Sequence, residues 1–129
     1  MGQAAKNAGG RRRILLIDCQ EYWRERSAAA LRDAGFEVEV LSHYDYTPRE
    51  GSEPDLVILG CAAIGENEQH LIGHLLAAKL HLLVLCTSLP WRVMRALFLA
   101  GADDVAEKPY NPSNLLSAVE HAFKSITPR

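Results

Sequence analysis

The sequence predicts an α/β fold in which helices cover both faces of a parallel β-sheet. Three continuous apolar runs of strand length, at residues 14–17, 56–59 and 82–85, are typical of strands that are buried on both faces. Segments with the spacing of amphipathic helices separate these runs. The chain has 129 residues, 48% of them hydrophobic, which suits one domain with one sizeable core.

Two shorter segments complete the predicted sheet. Residues 36–40 alternate between apolar and charged side chains, which is the pattern of an edge strand with one wetter face. Residues 102–106 form a short fifth candidate.

The helices are predicted from apolar faces and from residues that favour helix ends. The apolar faces lie within residues 23–34, 71–76, 93–98 and 115–126. Gly35 and Gly101 follow the first and third helices, Pro90 opens the third, and Asn111-Pro112 opens the fourth. The segment 42–54 is interrupted by proline and glycine, so it predicts only one short helical turn at residues 47–50.

This order of elements predicts a flavodoxin-like, doubly wound five-stranded parallel sheet of strand order 2-1-3-4-5, with a shortened second helix. In such a sheet, ligands and chemistry lie beyond the carboxyl ends of the strands. The candidate residues at this edge are Asp18, Cys19, Gly60, Cys61, Thr87, Ser88 and residues 107–109.

Charge is distributed unevenly along the chain. The first 13 residues contain four basic residues and no acid, which leaves 10 basic and 16 acidic residues, a formal charge of −6, in the rest. We therefore expect a flexible basic tail at residues 1–12 and a folded domain at residues 13–127. The arginine run at 11–13 is too short to predict nucleic-acid binding, and no apolar stretch is long enough for a membrane span or fits a secretion signal.

The three cysteines also indicate the cellular compartment in which the protein works. Their number is odd and none has Cys-x-x-Cys spacing, so we expect free thiols in the cytoplasm.

Four motifs at the carboxyl edge resemble the receiver domain of bacterial two-component response regulators. They lie in the family's order, in residues 14–19, 54–60, 83–88 and 100–110. The last of them, an Ala-Gly-Ala-Asp-Asp stretch followed by Lys108-Pro109, is the best match, and the resemblance extends from residue 13 to about residue 126. It implies that Asp18 and Cys19 match the family's pair of acids, that Gly60 matches the phosphorylated aspartate, and that Thr87 and Lys108 match the switch and the conserved lysine. It also suggests a cis bond before Pro109.

Three departures from the family change the expected function. Gly60 has no side chain to phosphorylate, and Cys19 is a soft thiol where a hard Mg²⁺ ion requires an oxygen ligand. Val105 stands where the family often has an aromatic residue that turns inward on activation. The pocket would hold Asp18 and Lys108 alone, with a formal charge of zero, so we expect no cofactor and weak or absent Mg²⁺ binding.

The resemblance therefore implies a degenerate receiver, or pseudo-receiver, that is not an enzyme and acts through protein contacts. Its partners would be a signalling kinase, an output protein or a second copy. In the family these partners bind the fourth helix, the fifth strand and the fifth helix. The matching exposed residues here are Trp91, Arg92, Arg95, Tyr110 and Asn114. Two alternatives remain: an active phosphorelay receiver with a non-standard acceptor, and a small-molecule or redox sensor.

Some residue patterns at this edge have both a functional and a structural interpretation. Asp18 and Lys108 are expected to form a partly exposed ion pair of small stabilising effect. The three cysteines are not expected to form one cluster, since Cys61 and Cys86 point away from the pocket, which leaves Cys19 as the best candidate for a functional thiol. Glu66, His70 and His74 have a spacing that could hold zinc, but a solvated helix face is favoured.

Overall fold

Parallel strands and helices alternate along the chain in a computed structural model that describes residues 11–44, 46–47, 51–109 and 111–126. The strands are β1 (Arg13–Asp18), β2 (Glu37–Leu41), β3 (Leu56–Cys61), β4 (Leu82–Cys86) and β5 (Asp104–Glu107). The α-helices are α1 (Glu21–Asp33), α2 (Glu66–Ala77), α3 (Trp91–Ala100) and α4 (Leu115–Ile126). The short helical turn predicted at residues 47–50 lies largely outside the described residues.

The five strands form one parallel sheet of order β2-β1-β3-β4-β5, as predicted. All six residues of β3 and all five of β4 are buried, which explains their unbroken apolar sequences. Strand β2 lies at an edge, and the exposed glutamates Glu37 and Glu39 give it its alternating pattern. The sheet therefore confirms the strand types that were predicted from hydrophobic periodicity.

Each face of the sheet has its own apolar core. Ile14, Leu16 and Ile58 pack against α1 and α4 on one face. Leu15, Ile17 and the buried side chains of α2 and α3 form the other core. Because side chains alternate along a strand, this division also decides which side chains at the carboxyl edge face which pair of helices.

The helix ends agree with the sequence at two glycines and differ at the start of α4. Gly35 and Gly101 have φ values of 101° and 120°, which an L side chain rarely adopts. Residues Pro112–Asn114 form a 3₁₀ turn, so the α-helix begins at Leu115, later than predicted. The cis bond suggested before Pro109 is also wrong, since no peptide bond between described residues is cis.

Arg12, the last residue of the predicted flexible tail, contacts the folded domain. Residues 1–10 of the predicted tail lie outside the described residues. The Arg12 guanidinium is 4.3 Å from the centroid of the Phe123 ring, and the Arg12 carbonyl accepts a hydrogen bond from the Glu37 amide, so Arg12 packs on the domain. Within the described residues, no helix has the length and apolar character needed to cross a membrane.

Candidate functional site at the carboxyl edge of the sheet

Asp18, the last residue of β1, is the most buried charged residue of this edge. The structure leaves it with no solvent exposure. Its Oδ1 accepts a hydrogen bond of 2.9 Å from the backbone amide of Gln20, and its carbonyl oxygen accepts one of 3.0 Å from Arg24 Nη1. These bonds fix the carboxylate between the end of β1 and the start of α1.

Lys108 reaches this carboxylate from the segment after β5. Its Nζ lies 2.9 Å from Asp18 Oδ2, so the two side chains form a close ion pair. Nζ also donates to the side-chain oxygen of Gln20 and lies 4.6 Å from the centroid of the Trp23 ring.

The expectation that this ion pair is partly exposed is wrong. The Lys108 side chain is only 5% exposed, because its stem is covered along with the Asp18 carboxylate. Removing one partner of a buried pair leaves the other charge uncompensated, which costs far more than breaking a pair at the surface.

Gly60 lies beside Asp18 in the register of β1 and β3. A Cβ atom built at Gly60 would lie 2.2 Å from Asp18 Oδ2, 3.0 Å from Asp18 Cγ and 3.2 Å from Lys108 Cε. The space that a side chain at position 60 would need is therefore filled by the ion pair, and a larger residue fits only if the Asp18 carboxylate moves.

Cys19 is exposed and does not join this ion pair. Its Sγ lies 3.9 Å from the hydroxyl of Tyr44, and this hydroxyl donates a hydrogen bond of 3.4 Å to the carbonyl oxygen of Gly60. Burial, with a smaller contribution from Cys19, raises the pKa of Tyr44 well above its ordinary value, so the hydroxyl stays protonated. Tyr44 lies in the segment between β2 and β3, where the sequence carries no periodic signal that could have predicted this contact.

Cys61 and Cys86 are direct neighbours at the ends of β3 and β4. They are paired in the register, their Sγ atoms are 3.7 Å apart, and both are buried. They lie on the sheet face that α2 and α3 cover, opposite to Asp18, as strand alternation predicts. Burial, together with the neighbouring Cys86, raises the pKa of the Cys61 thiol, so it is a protonated and unreactive group.

The two expected switch positions occupy different environments. Thr87 is exposed after β4, and its amide donates a hydrogen bond of 3.0 Å to the carbonyl of Cys61. Val105 is buried in the core beneath α2 and α3, beside Val84. Thr87 thus lies at the edge of the site, whereas Val105 has a small side chain that belongs to the core.

Two of the three residues that could have held zinc line a second cavity beside this site. Glu66 and His70 share a polar cavity of about 600 Å³ with Cys19, His43 and Tyr44, whereas His74 does not line it. Over the described part of the chain, no three His, Cys, Asp or Glu side chains lie close enough to share one metal ion.

The predicted contact surface contains large exposed apolar side chains. On α3, Trp91 is 68% exposed and Leu99 is 74% exposed, and Arg92 and Arg95 are exposed on the same helix. Asn114 is exposed in the turn before α4. Tyr110 lies outside the described residues.

Comparison with known sequences reveals one group of relatives, although no protein-family model matches the chain. The chain is 28% identical over 123 residues to the phosphate regulon transcriptional regulatory protein PhoB of Escherichia coli K12, and equally to PhoB of Shigella flexneri. The alignment covers 91% of this chain and 54% of PhoB, so the chain spans about half the length of the curated relatives it matches.

Solved structures share the fold over nearly the whole chain. The non-phosphorylated HemR receiver domain of Leptospira biflexa superposes with a TM-score of 0.76 at 22% identity, covering 92% of this chain and 99% of that domain. The CheY-like receiver domain protein of Methanospirillum hungatei superposes with a TM-score of 0.70 at 21% identity, covering 90% and 97% of the two chains. The chain therefore has the CheY-like fold of response-regulator receiver domains, which confirms the resemblance inferred from its sequence.

Proposed function

We propose that this chain is a degenerate receiver domain, which is not phosphorylated at the end of its third strand and acts by binding other proteins. The observation that carries the proposal is the ion pair between Asp18 and Lys108, which fills the space beside Gly60. A receiver of the usual kind needs a carboxylate there to accept a phosphoryl group. Position 60 supplies neither that carboxylate nor the room for one.

The electrostatics of the pocket support the same proposal. Asp18 has Lys108 at 2.9 Å and the amide of Gln20 at 2.9 Å, so its carboxylate is already compensated. The thiol of Cys19, in the position of the second acid, is a poor ligand for a hard dication. We therefore propose that Mg²⁺ binds weakly or not at all and that the domain is not an enzyme.

The proposed contact surface is formed by α3, β5 and α4. Trp91 and Leu99 together with Arg92 and Arg95 give α3 a basic and apolar exposed side, and α3 contains no acidic residue. Aromatic and arginine side chains are enriched among the residues that contribute most to protein interfaces. We infer that a signalling kinase, an output protein or a second copy binds here, and that the domain works in the cytoplasm, where its three free cysteines stay reduced.

Incubation with acetyl phosphate and Mg²⁺, followed by mass spectrometry of the intact protein, tests the proposal. We expect the mass to stay unchanged, because no acceptor carboxylate is accessible. A receiver domain that carries the family's full set of acids, treated in the same mixture, should gain a labile phosphoryl group and so shows that the reagent is active. A stoichiometric labile adduct on this chain would overturn the proposal, and its loss in Asp18→Asn would identify the acceptor.

A further inference from the structure

An apolar groove of about 700 Å³ lies between α2 and α3 on the outer side of the sheet. Ile72 and Leu76 of α2 form one wall, and Val93 and Leu97 of α3 form the other. The groove is separate from the Asp18 pocket, which lies on the side of α1 and α4. Its volume is within the range of about 300–1,000 Å³ that is usual for small-molecule sites.

Small residues at facing positions keep this groove open. Gly73 lies in the middle of α2, and Ala96 and Ala100 face it from α3. A Cβ atom at Gly73 would meet no heavy atom within 4 Å, so the missing side chain leaves unfilled space. Glycine inside a helix lowers stability by about 1 kcal/mol relative to alanine. At Gly73 no tight packing contact requires the glycine, because the position faces the open groove.

The groove is polar at one end only. Arg92 is the one formally charged residue among the described residues that line the groove. It lies in the first turn of α3, at the same end of the groove as Gln69, which lies near the start of α2. The first turn of α3 contains no acidic residue, and the helix start adds a partial positive charge. The first turn of α2 contains Glu66 and Glu68, but neither side chain is among the described residues that line the groove. The opposite end is formed by Leu76, Leu97 and Ala100 and is entirely apolar.

We propose that this groove binds a free single-chain amphiphilic anion, such as an aliphatic carboxylate. The head group would lie against Arg92, and the chain would run along Gly73 and Ala96 toward Leu76. Such a ligand matches both the volume of the groove and its single positive end. This proposal does not depend on whether position 60 can be phosphorylated. Either the proposed ligand or the proposed function can therefore be refuted while the other stands.

Calorimetric titration of the intact protein with decanoate, below the concentration at which decanoate forms micelles, tests the proposal. We expect saturable binding of one decanoate per chain. Ala96→Leu should weaken this binding about tenfold or more, because the added side chain fills the groove. Ala29→Leu is the matched control, since Ala29 is exposed on α1, far from the groove. If Ala96→Leu fails to fold, Gly73→Leu fills the groove from the opposite wall.

A second pair of variants tests the charge. Arg92→Gln should weaken decanoate binding about fivefold, the effect expected of one exposed ion pair, and should leave the binding of uncharged decanol unchanged. Arg26→Gln on α1 removes the same charge elsewhere and should change neither affinity. The proposal is overturned if decanoate does not saturate, or if Ala96→Leu binds it as tightly as the wild type. The proposal is equally overturned if the protein is a dimer that Ala96→Leu dissociates, because the groove would then be an interface between two copies. Binding of the protein to anionic lipid vesicles without binding of free decanoate would also overturn it.

Discussion

Replacing Gly60 by alanine tests whether the ion pair fills the pocket. The added Cβ would lie 2.2 Å from Asp18 Oδ2, so the carboxylate must move by more than about 1 Å to reach an ordinary contact. It cannot move freely, because Asp18 has no solvent exposure and is held by Gln20 and Lys108. Overpacking of this kind costs about 1–3 kcal/mol, whereas alanine in place of glycine in a strand regains about 0.5–1 kcal/mol of chain entropy. The two effects together give a loss of about 0–2.5 kcal/mol. Because the approach of 2.2 Å is severe, we expect Gly60→Ala to lower the free energy of unfolding by about 1–2 kcal/mol, in the upper part of that range.

Urea denaturation measures this change, and the chain offers a control of opposite sign. Gly73→Ala, in a helix with nothing near the new Cβ, should raise the free energy of unfolding by about 0.5–1 kcal/mol. A double-mutant cycle then assigns the cause. In an Asp18→Ala background most of the penalty of Gly60→Ala should disappear, because the two closest atoms are gone and only Lys108 Cε, at 3.2 Å, remains near the new Cβ. If Gly60→Ala is as stable as the wild type, or if its full penalty persists without the Asp18 carboxylate, Asp18 does not fill the space beside Gly60.

Two further predictions concern Cys61 and the end of α2. The pKa of Cys61 is raised above its ordinary value of 9.0, chiefly by burial and then by Cys86, so above pH 9 the unfolded chain releases a proton that the folded chain keeps. The free energy of unfolding should therefore fall as pH rises from 9, by up to about 1.4 kcal/mol per pH unit. Urea denaturation of Cys61→Ala should show a shallower fall with pH. Equal slopes for the variant and the wild type would show that Cys61 is not the group responsible. Lys79, just beyond α2, has a φ of 64°, so Lys79→Gly should raise the melting temperature and the free energy of unfolding by about 0.5–1 kcal/mol. Lys79→Ala is the control, because alanine keeps the Cβ atom; equal gains from both would exclude backbone strain as the cause.

The strands were predictable because burial on both faces leaves a direct trace in the sequence. Residues 56–61 are apolar except for a glycine, and a run of this length that follows a proline is typical of a strand covered by helices on both sides. The alternation at residues 36–40 likewise reports one wet face of an edge strand. The start of α4 was placed too early because Pro112 favours a helical first turn of either kind, and the sequence does not distinguish a 3₁₀ turn from an α-helix there.

The candidate site was predictable in its members but not in its environment. Asp18 and Lys108 could be named from strand ends, since parallel strands present their carboxyl ends at one edge. The burial of the pair could not, because it depends on Trp23 and Gln20, whose positions follow from the path of α1. The contact between Cys61 and Cys86 depends on the register of two strands, which apolar runs of uniform composition do not specify.

The ion pair also bears on the order in which the domain assembles. Asp18 belongs to the first strand and Lys108 follows the last, so their side chains meet across the ends of β3 and β4. Chain entropy opposes such a distant contact until the intervening elements are in place. We therefore expect the pair to form late in folding, so that its loss would chiefly raise the rate of unfolding and leave the rate of folding nearly unchanged.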